Sequence, residues 1–128
     1  MLFPTKVALG ALLAALVAGC GSAEEPQVRA AADAYASAAG RGDGARVCSM
    51  LTARARSDVE SFGRSCAATA AQLPAPGTVR TVEVWGDSAQ VRFDADVVFL
   101  ALFEDHWLVR AAGCRPRDGG PYDCAVHG

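Results

Sequence analysis

Residues Leu16-Val17-Ala18-Gly19-Cys20 constrain this chain more than any others, because they set which part of it folds and in which compartment. They close an apolar run, Val7 to Ala18, that follows a short segment carrying one positive side chain, Lys6. About a dozen apolar residues behind a basic start is the length of a secretory signal and too short to span a bilayer. Small side chains at Ala18 and Gly19 let a peptidase close on the backbone just before Cys20, whose thiol accepts a diacylglycerol. The stretch therefore reads as a bacterial lipobox. Residues 1–19 are expected to be a lipoprotein signal peptide and Cys20 the lipidated first residue of the mature chain. The expected location is the outer face of the bacterial cell membrane, held there through the Cys20 lipid.

That compartment decides how the other cysteines are read. Cys48, Cys66, Cys114 and Cys124 are an even set in an exported domain, which points to disulfides with three possible connectivities. The local pairing, Cys48–Cys66 and Cys114–Cys124, closes the short loops and is the expected one. Zinc is the competing use, but no Cys-x-x-Cys occurs and only His127 lies near a cysteine pair. No metal and no cofactor is expected. Without the signal, 109 of the 128 residues remain, enough for one domain. A chain of this size buries roughly two-thirds of its unfolded surface, so crosslinks add usefully to a single core. Of the 12 basic side chains, Lys6 falls in the signal and the rest are arginines scattered among 14 acids. They form no run, so no nucleic-acid partner is expected.

Along the mature chain, residues 20–27 read as a lipidated polar tether and 28–128 as the domain. Val28, Ala31, Ala32, Tyr35, Ala38 and Ala39 recur at helical spacing, with Pro26 suited to the first turn and Gly40 to a left-handed C′ position. Asp43 is placed to cap a brief second helix over 44–51, and Thr52 a third helical region reaching Leu73 that Gly63 can divide. Pro74-Ala75-Pro76-Gly77 ends the helical half. From Thr78 the pattern alternates: strands over 78–85, 89–93, 97–103 and 107–112 are separated by Gly86-Asp87, Asp94-Ala95-Asp96 and Glu104-Asp105. Val82, Val84, Ala89, Val91 and Phe93 are the inward positions. Helices first and strands second predict an α+β domain, its N-terminal helices packed on a curved four-stranded antiparallel meander. The turn-rich tail from Gly113 has too little apolar content to fold alone, and a Cys114–Cys124 bridge is expected to hold it.

Several segments together resemble a known group. They are Val-Cys-Ser-Met-Leu-Thr (47–52), Ser-Cys-Ala-Ala (65–68), Val-Glu-Val-Trp-Gly-Asp-Ser-Ala-Gln-Val (82–91), His-Trp-Leu-Val-Arg-Ala-Ala-Gly-Cys-Arg-Pro (106–116) and Pro-Tyr-Asp-Cys-Ala-Val (121–126). The chain resembles small exported lipoproteins of GC-rich bacteria with a cone-shaped domain of the nuclear transport factor 2-like superfamily. The resemblance implies a cone whose open end admits a small apolar molecule, with Tyr35, Phe62, Val91, Phe93 and Trp107 as candidate lining; Tyr35 reads first as a core aromatic whose hydroxyl reaches the rim. It carries over no catalytic residue, because Tyr35, Asp94 and Asp96 align with no motif of the ketosteroid isomerases or polyketide cyclases of that superfamily. Asp94 and Asp96 flank a predicted turn, and His106 stands beside Glu104 and Asp105, so water is expected to keep all three ordinary. The functional expectation is a non-catalytic cell-envelope lipoprotein that binds a small apolar ligand or an envelope protein through the cone or its rim. The alternative is a cone-fold enzyme acting on a small apolar substrate by proton transfer.

Overall fold

A computed structural model describes residues 23–61 and 63–128, so the signal segment, Cys20 and Phe62 lie outside the described residues. Helix α1 spans Glu25–Gly40, beginning inside the stretch read as tether, with a proline at its first turn and Glu25 favourably placed against its N-terminal dipole. Val28, Ala32, Tyr35, Ala38 and Ala39 form its buried face. Gly40 does not supply the left-handed residue. It is still helical, and the positive φ falls two residues later at Gly42, 66°, where the backbone turns into the next cap.

Helix α2, Gly44–Ser49, is capped by Asp43, whose carboxylate accepts the Arg46 N–H at 3.1 Å. Thr52 accepts the Ala55 N–H at 3.1 Å and opens α3, Ala53–Glu60. The long third helical region is divided at Gly63, φ 81°, and resumes as α4, Cys66–Ala70, behind a Ser65 cap. Leu73 lies beyond its end. Gly44 is required by packing. A Cβ there would sit 1.8 Å from the Ala67 carbonyl oxygen, so α2 and α4 touch backbone to backbone.

The second half is one antiparallel sheet in the order β1-β2-β3-β4-β5, with strands Val79–Trp85, Ser88–Phe93, Val97–Phe103, His106–Arg117 and Gly120–Val126. The predicted four strands are thus corrected to five. The tail folds because Asp118-Gly119 forms a two-residue hairpin turn with Gly119 at φ 69°, a signal that composition alone hides. Pro121 is tolerated because β5 is an edge strand. Val126 is fully buried, and the His127 N–H donates to the Asp58 carboxylate at 3.0 Å, so the C-terminus packs against α3 instead of trailing free. Cys48 is bridged to Cys66 and Cys114 to Cys124.

The sheet puts alternate residues on opposite faces. Val82 pairs with Val91 and Val91 with Val98, while Ala89 pairs with Leu100 and Leu100 with Val109. These side chains meet the buried face of α1 and the α2–α4 residues Val47, Val59 and Ala70 in one core. Strand β4 carries two irregularities against β3, one of them at Gly113, φ 66°. Short of where β5 begins to pair, β4 is flanked instead by the link between α2 and α3: Val109 donates to the Met50 carbonyl at 2.7 Å and Thr52 to the Val109 carbonyl at 2.9 Å.

Candidate functional site

Tyr35, Val91, Phe93 and Trp107 are buried members of the same core, so four of the five side chains proposed to line an open cone pack together. The fifth, Phe62, falls outside the described residues. Tyr35 is close to fully buried, and its phenol is held well above the usual tyrosine range, first by burial and then by the charge of Asp96. Leu100, Val98 and Val28 are fully buried in the same core.

The two carboxylates of the β2–β3 turn part company. Asp94 is exposed and held below the ordinary range, chiefly by the Thr78 N–H it accepts at 3.0 Å and then by its hydrogen bond from Arg80. Asp96 departs from the expected solvated turn residue. It lies half-buried against the Gly113 irregularity, where one carboxylate oxygen accepts the Gly113 N–H at 3.1 Å and the other the Cys114 N–H at 2.9 Å. Burial raises its pKa, and those backbone donors only partly offset the effect. A raised carboxylate beside a buried tyrosine is the arrangement an acid–base site needs. Here both oxygens are spent on the backbone N–H groups of Gly113 and Cys114 at the strand irregularity, which is a structural duty.

Concave surface lies instead around the tip of the β3–β4 hairpin. A groove of about 700 Å³ runs between α1, α2 and that hairpin, floored by Ala31, Ala34, Met50, Trp107 and Val109. Arg46, Glu104 and His106 stand along it, supplying charge of both signs at an apolar trough. The Trp107 indole N–H donates to the Glu24 carboxylate at 3.3 Å, tying the start of α1 to this end of the sheet. A second groove, of about 640 Å³, lies beyond Phe103 and Leu108 and is edged by Arg54, Asp87 and Arg110. A third, of about 360 Å³, lies by Asp96, Arg115 and Asp123 beside the Cys114–Cys124 bridge. Among the described residues no group of three or more histidine, cysteine, aspartate or glutamate side chains is placed to hold a metal ion.

The sequence reads His106 as a turn residue, but it is the first residue of β4, paired with Phe103 just past the Glu104-Asp105 turn, and it lines a groove with Met50, Arg46 and Trp107. That convergence depends on the Met50–Thr52 link lying along β4, which no local pattern encodes. Compared with protein-family models, curated proteins and solved structures, the chain matches none.

Proposed function

We propose that this chain is a non-catalytic, lipid-anchored cell-envelope protein that binds a small apolar ligand in the groove between α1, α2 and the β3–β4 hairpin. The observation that carries this reading is the contrast between a filled interior and an open trough lined by Ala31, Ala34, Met50 and Trp107. Arg46 and His106 at its edge suit an amphiphile with one anionic end. Kinship with the nuclear transport factor 2-like lipoproteins is part of the proposal, supported by the order of helices before an antiparallel meander and by the two bridges. No helix of the described residues is long and apolar enough to cross a membrane; the proposed anchor is the lipid on Cys20, read from the lipobox.

The test is native mass spectrometry of the gently purified protein beside its Ala34→Trp variant, which fills the groove without removing a core side chain. A small apolar molecule carried by the parent and lost from the variant supports the reading. Retention by both, or by neither, refutes the groove as the site. The enzyme reading is favoured by one observation, the raised Asp96 near Tyr35. It requires a substrate to reach Asp96, whose two oxygens are already engaged.

A further inference from the structure

The two large exposed apolar side chains of the described residues are Trp85, 54% accessible, and Phe103, 53%. They belong to different hairpins, yet the sheet brings them to one end and one face. Trp85 pairs with Ser88, Ser88 with Ala101, and Ala101 with Leu108, so this cross-strand row shares the face opposite the core side chains Val91, Leu100 and Val109. Phe103, two residues on from Ala101, has the same outward parity. The tips are joined directly, the Leu102 N–H donating to the Asp87 carbonyl at 2.8 Å. Two half-exposed aromatics on adjoining hairpin tips need an explanation that core packing does not give.

The same end of the sheet receives the start of α1. Glu24 accepts from Trp107, and Trp107 pairs with Leu102, one rung below Phe103. Three residues, Gly21 to Ala23, separate Cys20 from Glu24. Four peptide steps reach at most about 14 Å even when fully extended. A lipid on Cys20 therefore holds Glu24, and with it the Trp107 end of the sheet, close to the bilayer surface.

The geometry points to membrane contact: the Trp85 and Phe103 hairpin tips rest in the lipid–water interface of the membrane that holds the Cys20 lipid, orienting the domain with its far end outward. This rests on the reading of Cys20 as a lipid anchor. Aromatic side chains are favoured at that depth, Trp most of all, because the ring is apolar and its N–H finds water or headgroup oxygens. The contact is apolar and not electrostatic. Asp87, Glu104 and Asp105 sit on the same tips and offset the nearby Arg46, Arg54 and Arg110, which leaves no basic patch for anionic lipid. A protein partner on the same aromatics is the competing occupant. The short reach from Cys20 favours the bilayer, which is already there.

The full-length protein is expressed with labelled fatty acid, purified in detergent and reconstituted into vesicles of phosphatidylcholine brominated near the headgroup end of its acyl chains. Trp85 and Trp107 are the tryptophans, and Trp107 is buried, so quenching reports Trp85. The expected result is label on the protein, a blue-shifted emission and strong quenching, with quenching lost in Trp85→Phe. Phe103→Ser, which keeps the reporter, should reduce quenching of Trp85 by lifting the tips. Labelled protein with no quenching, or quenching equal in Trp85→Phe, overturns membrane contact while leaving the anchor intact. Protein without label overturns the anchor and this inference together.

Discussion

Removing the Cys48–Cys66 bridge, as Cys48→Ala/Cys66→Ala, should unfold this domain more readily than its small helices would suggest. The bridge closes 18 residues that hold α3 complete, with α2 at one end and α4 at the other. In the chain-entropy treatment a loop of that length restrains the unfolded state by about 3 kcal/mol, and the 10-residue Cys114–Cys124 loop by slightly less. The native side adds to the first figure. Helices α2 and α4 have six and five residues, far below what holds a helix alone, and both cysteines are buried. The Cys114–Cys124 bridge instead joins two strands already paired in register. The Cys48/Cys66 variant is therefore expected to lose about 3–4 kcal/mol, a drop of roughly 15 °C in melting temperature for a domain of this size. Urea unfolding followed by tryptophan fluorescence measures it, with amide hydrogen exchange showing whether α4 frays first. A loss under about 1 kcal/mol would refute the argument, since it would mean that this segment is already restrained in the unfolded chain.

Three further outcomes follow from named contacts. Gly44→Ala should cost at least about 3 kcal/mol or abolish folding, because its methyl group meets the Ala67 backbone and not a yielding side chain; thermal melting decides it. Asp96→Asn should cost about 1–3 kcal/mol in urea titration, since an amide replaces one of two oxygens that accept backbone N–H groups. The pH dependence carries the sign: the folded state holds the Asp96 proton more tightly than the unfolded chain, so wild-type stability from this group is full below the ordinary carboxylate range and fades as pH rises through the raised pKa, a slope the variant lacks. Asp94 acts oppositely, its contribution present above that range and lost as pH falls, so Asp94→Asn should flatten the acid limb of the stability–pH curve.

The helical half was legible because its signals are local. Asp43 and Thr52 were readable as caps from their place before apolar periodic runs, and Gly63 as the point where a stripe breaks. The apolar alternation of β1 and β2 identified the inward residues, and the same parity would have marked Trp85 as outward. The fifth strand is obscured by the turn-rich, weakly apolar composition of the tail, though Asp118-Gly119 is itself a hairpin turn. Asp96 could not be read at all. Its environment comes from an irregularity in a strand 17 residues away, and register shifts of that kind leave no mark in a periodicity.

The sheet has two ends of different character, and the difference bears on where function can lie. At one end the β2–β3 turn is fastened by Asp94 to Thr78 and Arg80 and by Asp96 to Gly113 and Cys114, with the Cys114–Cys124 bridge alongside. Polar groups there are satisfied by the chain itself, which leaves nothing for a ligand to gain by displacing them. At the other end the hairpin tips carry half-exposed aromatics, two grooves flank Phe103 and Leu108, and no described disulfide reaches the tips. Apolar surface left in water is a standing cost that the rest of this small core does not repeat, so its concentration beside Glu24 ties it to what the N-terminal segment delivers. Under the proposed Cys20 anchor, a groove placed there would open toward the membrane surface, where an apolar ligand is most concentrated. The proposed ligand capture and the proposed membrane contact would then draw on the same end of the molecule, and Phe103, shared by both grooves, is the side chain whose loss should disturb the two together.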